Sequence, residues 1–170
     1  VTIETAIIVE HDGWPDCRDL CLRAVDAALA AVRRTAPPGT VPDGDLDVSL
    51  VLSDDATVQD LNKTWRDQDR PTNVLSFPAY DPDQPDTPKG APVLLGDIVL
   101  AFETCAAEAE RDGIGLDDHL AHLVIHGFLH LLGYDHQTDT QADAMESLET
   151  AILAAMGIAN PYKDDRPQDV

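Results

Sequence analysis

The sequence predicts an α/β fold: a single domain on a mixed, mostly parallel four-stranded sheet with helices packed against it. Three observations carry this. The chain has 170 residues, the size of one domain with one core. Apolar or β-branched segments of strand length alternate with segments whose apolar residues recur at three and four, the β-α-β order of a layered sheet. One helical segment, Asp117 to Leu132, is apolar around most of its circumference, so it belongs in the interior.

Thr2 to Val9 reads as the first strand. Pro15 suits a first helical position and opens a helix whose inward stripe is Cys17, Leu20, Cys21, Ala24, Val25, Ala28, Leu29 and Val32. Arg33 and Arg34 fall in its last turn, where cations complement the dipole. Thr35 to Asp45, rich in proline and glycine, is a loop. Leu46, Val48, Leu50 and Leu52 alternate in a second strand, and Ser53 reads as the N-cap of a helix through Val58, Leu61 and Trp65. Thr72 to Phe77 is a short third strand ended by Pro78, and Ala79 to Pro92 is a loop. Leu94 to Phe102, apolar nearly throughout, is a fourth and central strand.

Three helices follow. They run from Thr104 to Asp112 before Gly113, from Asp117 to Leu132, and from Gln141 to Met156. The last turns Met145, Leu148, Ile152 and Met156 inward and closes at Gly157. Residues 1–160 make one domain without internal repeats, and residues 161–170 a loose polar tail. Right-handed helical crossovers allow the first three strands to be parallel. The fourth follows the third through a loop without a helix and is expected to be the antiparallel one.

Composition excludes several classes. Apolar content is 44%, ordinary for a globular protein, and no apolar run approaches the ~20 residues of a membrane span. Val1 to Glu10 lacks the basic start and long apolar centre of a secretory signal. Cys17, Cys21 and Cys105 make an odd count without a C-x-x-C pair; Cys17 and Cys21 share a helical face and read as two buried thiols in a reducing cytoplasm. The net charge of −21, from 11 basic and 32 acidic side chains, argues against a general nucleic-acid binder, and no DNA partner is expected. It leaves room for a local contact, because exposed charges are screened beyond ~8 Å at physiological salt.

The chemistry concentrates in H-G-F-L-H-L-L-G-Y-D-H, residues His126 to His136. His126 and His130, four apart on a helix, share one face and can share one ion. Gly133 can end the helix in a left-handed conformation, and His136 on the returning segment can be the third ligand. Three imidazoles with an open fourth position suit a catalytic site of the zinc type, though nickel, iron or copper fit the same donors. His122 stands roughly 12 Å from His130 along the helix, too far to share an ion, so it is read as a residue behind the ligands or in the core. His119 is read as surface. The spacing matches the metzincin protease pattern except that Gly127 replaces the glutamate that acts as general base. A metal ion can still generate a hydrolytic nucleophile there by lowering the pKa of bound water.

Four motifs now make the chain resemble a known family, the YbeY endoribonucleases or rRNA maturation factors. They are L-N-K-T-W-R at Leu61 to Arg66, P-T-N-V-L-S-F-P at Pro71 to Pro78, L-G-D-I at Leu95 to Ile98, and the histidine segment. The resemblance covers Leu61 to Met156; the first sixty residues share only the β-α-β pattern. It implies a zinc-dependent, single-strand-specific endoribonuclease acting in rRNA maturation, ribosome biogenesis and quality control. Its partners would be single-stranded ribosomal RNA and components of the small ribosomal subunit. One Zn2+ per chain would be held by His126, His130 and His136, with Arg66 as the functional arginine.

Beside a metal, the planar guanidinium of Arg66 could grip a phosphate through two hydrogen bonds, while Lys63 and Arg70 are weaker cleft candidates or surface residues. Asp135 could orient a ligand imidazole or simply form the turn after Gly133. Asn73 and Ser76 could line the cleft from a strand end, and Asp97 is a candidate buried polar group in an apolar strand. Two readings compete with the nuclease. One is a metalloprotease, disfavoured by Gly127. The other is a non-catalytic ribosome-assembly module, binding RNA or protein, with a structural metal.

Overall fold

The alternation in the sequence becomes two differently covered faces of one sheet. In the computed structural model, which describes residues 2–81, 83, 88 and 90–162, the elements run β1 (Ile3–Val9), α1 (Arg18–Thr35), β2 (Leu46–Ser53), α2 (Asp55–Arg66), β3 (Val74–Pro78), β4 (Val93–Ala101), α3 (Phe102–Asp112), α4 (Leu116–Leu131) and α5 (Asp139–Ala155). Of the expected tail, Pro161 and Tyr162 are described, and Tyr162 is not loose, its hydroxyl donating to Glu149; the rest, from position 163 onward, lies outside the described residues, as do parts of the expected 79–92 loop. No helix among the described residues is long and apolar enough to cross a membrane.

The four strands lie in the order β1-β2-β4-β3, so β4 is central as its composition implied. β1 with β2 and β2 with β4 pair in parallel, while β3 and β4 pair antiparallel. The sheet is therefore mixed and mostly parallel. The strand that runs against the rest is β3 and not the fourth, which corrects the expected direction of both. The cause is the return after α2. Asp67 takes a left-handed conformation, φ 56°, and segment 67–73 brings the chain back beside the end of β4, where the Ala101 amide donates to the Asn73 carbonyl at 3.0 Å. A strand starting there can only run back along β4.

Leu46, Leu50, Leu95, Ile98 and Leu100 point to the face covered by helices, in one core with Leu120, Ile125, Phe128 and Leu129 of α4. α4 touches β3 and β4 on one side and α1, α3 and α5 on the others, which is why it is apolar nearly all round. Among the described residues, the opposite face carries only α2, over a small cluster of Val58, Leu75, Val99 and Ala101. Asp97 emerges on that face and is exposed, so it is not the buried polar group its apolar strand suggested.

Several helix starts differ from expectation, each for a visible reason. α1 begins at Arg18 and not Pro15, because buried Trp14 turns inward and its Nε1 donates to the Ser53 carbonyl at 3.0 Å. Ser53 stays in β2, its hydroxyl donating to Glu10 Oε1 at 2.8 Å, and Asp54 instead caps α2 by accepting from the Thr57 amide. α5 starts earlier than expected, because Thr138 and Gln141 form a reciprocal capping box ahead of it.

Candidate metal centre

Three imidazoles converge where α4 ends. Gly133 takes φ +97°, and the amides of Gly133 and Tyr134 donate to the carbonyls of His130 and Leu129, both at 3.1 Å. That left-handed turn sends the chain back across the end of the helix. His136 then faces the helical pair, its ring centroid 5.6 Å from that of His126 and 5.0 Å from that of His130. One nitrogen from each ring lies within 4.8 Å of the others, a group that could hold a metal ion. His126 and His130 are half-buried and His136 is exposed, so the cluster opens to solvent on one side.

Hydrogen bonding dictates which nitrogens face inward. His126 Nδ1 lies 2.6 Å from Glu149 Oε2, and His130 Nδ1 lies 2.8 Å from the Tyr134 carbonyl. An ionised carboxylate and a carbonyl only accept, so each Nδ1 carries the hydrogen and each neutral ring keeps a lone pair on Nε2. Those two Nε2 atoms stand 3.1 Å apart. Lone pairs facing at that distance repel unless a cation lies against them. The donor set therefore fits a transition-metal ion of the zinc type. His130 is further biased to its neutral, ligating form: burial first, then the neighbouring His126, lowers its pKa.

Glu149 was not among the residues the sequence singled out. It is fully buried on α5, with 0% exposure. Its burial alone would raise its pKa, but hydrogen bonds from His122, His126 and Tyr162 more than reverse this and hold it at about 2. A signal was available. Glu149 lies four residues after Met145 and three before Ile152, on the inward stripe of its helix, and a carboxylate there requires partners. His122 is one of them, its Nε2 2.9 Å from Glu149 Oε1, behind the histidine cluster and not in it.

The cluster floors a cleft of ≈ 570 Å³ whose walls include Arg66, Asn73, Ser76 and Asp135. Arg66 sits at the end of α2, with one Nη2–H donating to the Ser76 carbonyl at 3.1 Å and its guanidinium 6.0 Å from the Phe77 ring centre. Asn73 donates to Glu108 of α3, and the Ser76 hydroxyl donates to the Gly127 carbonyl, so both are tied into the wall. Asp135 Oδ1 accepts from the His136 amide at 2.8 Å, the local turn geometry, while its side chain lines the cleft. Lys63 and Arg70 are exposed and outside the cleft lining; Arg70 folds onto Gln68 Oε1. His119, expected at the surface, is 7% exposed because α3 covers it and Glu108 Oε1 meets its Nε2 at 2.8 Å.

Gly127 explains more than a missing base. A Cβ there would lie 2.8 Å from Ile98 Cγ2 and 3.0 Å from Ser76 Oγ. This point of α4 is pressed against the sheet, and a glutamate has no room without moving it.

Fold and site together define an α/β protein with a solvent-open cluster of three histidines at the end of its buried helix and an arginine in the same cleft. The family model described as endoribonuclease YbeY matches residues 20–157, and the chain belongs to that family. Among relatives bearing the name endoribonuclease YbeY, the protein of Paramagnetospirillum magneticum is 52% identical over 166 residues, covering 95% of this chain and 97% of the relative. That of Rhodospirillum rubrum is 56% identical over 142 residues, covering 82% and 71%. The solution structure of TM1509 from Thermotoga maritima shares the fold, with a TM-score of 0.55 and 24% identity over 96% of this chain and 98% of that one.

Proposed function

We propose that the protein is a zinc-dependent endoribonuclease, specific for single strands, with one Zn2+ per chain. We assign it to ribosomal RNA maturation, ribosome biogenesis and quality control in the cytoplasm, in contact with components of the small ribosomal subunit. Membership of the family supports the endoribonuclease activity. The observation that carries the mechanism is the three converging imidazole nitrogens in one cleft with Arg66.

His126, His130 and His136 would hold the ion. When bound, zinc supplies a nucleophile from water at neutral pH and an electrophile for a phosphate oxygen. The Tyr134 carbonyl keeps the His130 ring turned with Nε2 toward the cleft. Arg66, already anchored through Ser76, presents its remaining donors to the phosphodiester. Its planar fork binds two phosphate oxygens and stabilises the charge that builds on them. Asn73 and Ser76 hold the wall in place through Glu108 and Gly127. Asp135 shapes the return that places His136.

Gly127 weighs against the protease reading, since glycine has no side chain to move a proton to an amine leaving group and a Cβ there would lie 2.8 Å from Ile98 Cγ2. Metal analysis of purified variants tests the centre. His126→Ala, His130→Ala and His136→Ala should each lose zinc and chelator-sensitive RNA cleavage, while His122→Ala keeps its zinc at saturation. Full metal content in His136→Ala would remove the third ligand.

A further inference from the structure

Glu149 is a buried charge that none of the steps above consumes, and burying a carboxylate is costly unless it is fully paired. Its two oxygens have different partners. Oε2 accepts from His126 Nδ1 at 2.6 Å. Oε1 accepts from His122 Nε2 at 2.9 Å and from the Tyr162 hydroxyl at 2.5 Å. Tyr162 lies beyond α5, after Gly157 has turned the chain at φ +79°. Its amide donates to Asn160 Oδ1 at 2.8 Å, and the same oxygen accepts from Thr150 Oγ1 of α5 at 3.3 Å. One carboxylate thus joins the histidine-bearing side of α4 to the segment that follows α5.

A charge-assisted bond to Nδ1 fixes an imidazole in rotation and tautomer, so that Nε2 presents its lone pair in one direction. His130 receives only a neutral carbonyl at the same position. Of the two helical histidines, His126 is therefore the one whose aim depends on a removable side chain. The grip of Glu149 depends in turn on what holds its other oxygen.

We propose that Glu149 is the positioning residue of the metal centre, acting through His126, and that Tyr162 fastens the segment after α5 to the same carboxylate, so that zinc binding and docking of that segment are coupled. This rests on His126 being a zinc ligand. Coupling of this kind is reciprocal: what Tyr162 adds to zinc affinity, zinc adds to the hold on Tyr162.

The test is zinc affinity of the full chain, by competition with a chromophoric chelator, together with histidine NMR and amide exchange. In metal-free wild type, long-range 1H–15N spectra should show His126 as the Nδ1–H tautomer. Glu149→Gln should bind zinc ~10- to 100-fold more weakly, the usual effect of losing such a partner. Tyr162→Phe should bind it ~5-fold more weakly, the low end of such couplings. Zinc should slow exchange of the amides of Ile158, Ala159, Asn160 and Tyr162 in wild type and fail to do so in Tyr162→Phe. Should Glu149→Gln not fold, the wild-type tautomer and Tyr162→Phe still decide. An Nε2–H tautomer, or wild-type zinc affinity in Glu149→Gln alongside only a lower melting temperature, overturns the positioning role. Unchanged affinity and exchange in Tyr162→Phe overturn the coupling. If His126→Ala binds zinc as wild type does, the failure belongs to the ligand assignment instead.

Discussion

Ser76 and Gly127 meet where the sheet touches the histidine-bearing helix: the serine hydroxyl donates to the glycine carbonyl at 3.1 Å, and a Cβ at 127 would stand 3.0 Å from that hydroxyl. The same Cβ would lie 2.8 Å from Ile98 Cγ2, so something must shift to admit it. Gly127→Ala should therefore destabilise the protein. Overpacking costs ~1–3 kcal/mol, against roughly 1 kcal/mol gained from helix propensity. Urea unfolding of the metal-free protein measures the balance, and a gain in stability would show that the junction yields easily.

In the proposed mechanism Arg66 acts on substrate and not on the ion. Arg66→Ala should slow RNA cleavage by ~100-fold or more, the scale of a lost transition-state donor, with zinc content unchanged. Arg66→Lys should rescue poorly, because a point charge cannot reproduce the two-pronged contact. Single-turnover cleavage assays alongside metal analysis check both. Wild-type cleavage by Arg66→Ala would remove the residue from the mechanism.

Acid should reveal the buried carboxylate. Glu149 sits at about 2, below its ordinary 4.5; burial opposes this, and the bonds from His122, His126 and Tyr162 outweigh burial. With the folded-state pKa lower, the unfolded chain takes up the proton first as pH falls. The contribution of Glu149 to stability is present above about 4.5 and is lost as pH drops toward 2. The stability gap between metal-free wild type and Glu149→Gln, from urea unfolding, should narrow below pH ~4.5. A gap that widens steadily there contradicts the assignment.

The convergence of the three histidines was legible because its geometry is local: two side chains one turn apart and a third returned by Gly133 span only His126 to His136. Strand alternation in β2 and the apolar run of β4 were legible for the same reason. The direction of β3 was not. It depends on where segment 67–73 delivers the chain, which no periodicity encodes. Nor was Glu149, whose partners His126 and Tyr162 lie on α4 and beyond α5. His119 misled because its partner, Glu108, is on another helix. Ser53 looked like a cap by residue type, but its hydroxyl was already committed to Glu10 across the sheet edge.

The most direct measurement sets two substrates side by side. Zinc-loaded protein is incubated with a labelled single-stranded RNA and with an unstructured peptide pool, with and without chelator, and His130→Ala is run in parallel to exclude a contaminating nuclease. The expected result is cleavage of the RNA alone, abolished by chelator and in His130→Ala. Metal-dependent cutting of the peptides with the RNA left intact would contradict the nuclease assignment and restore the protease reading that Gly127 disfavours.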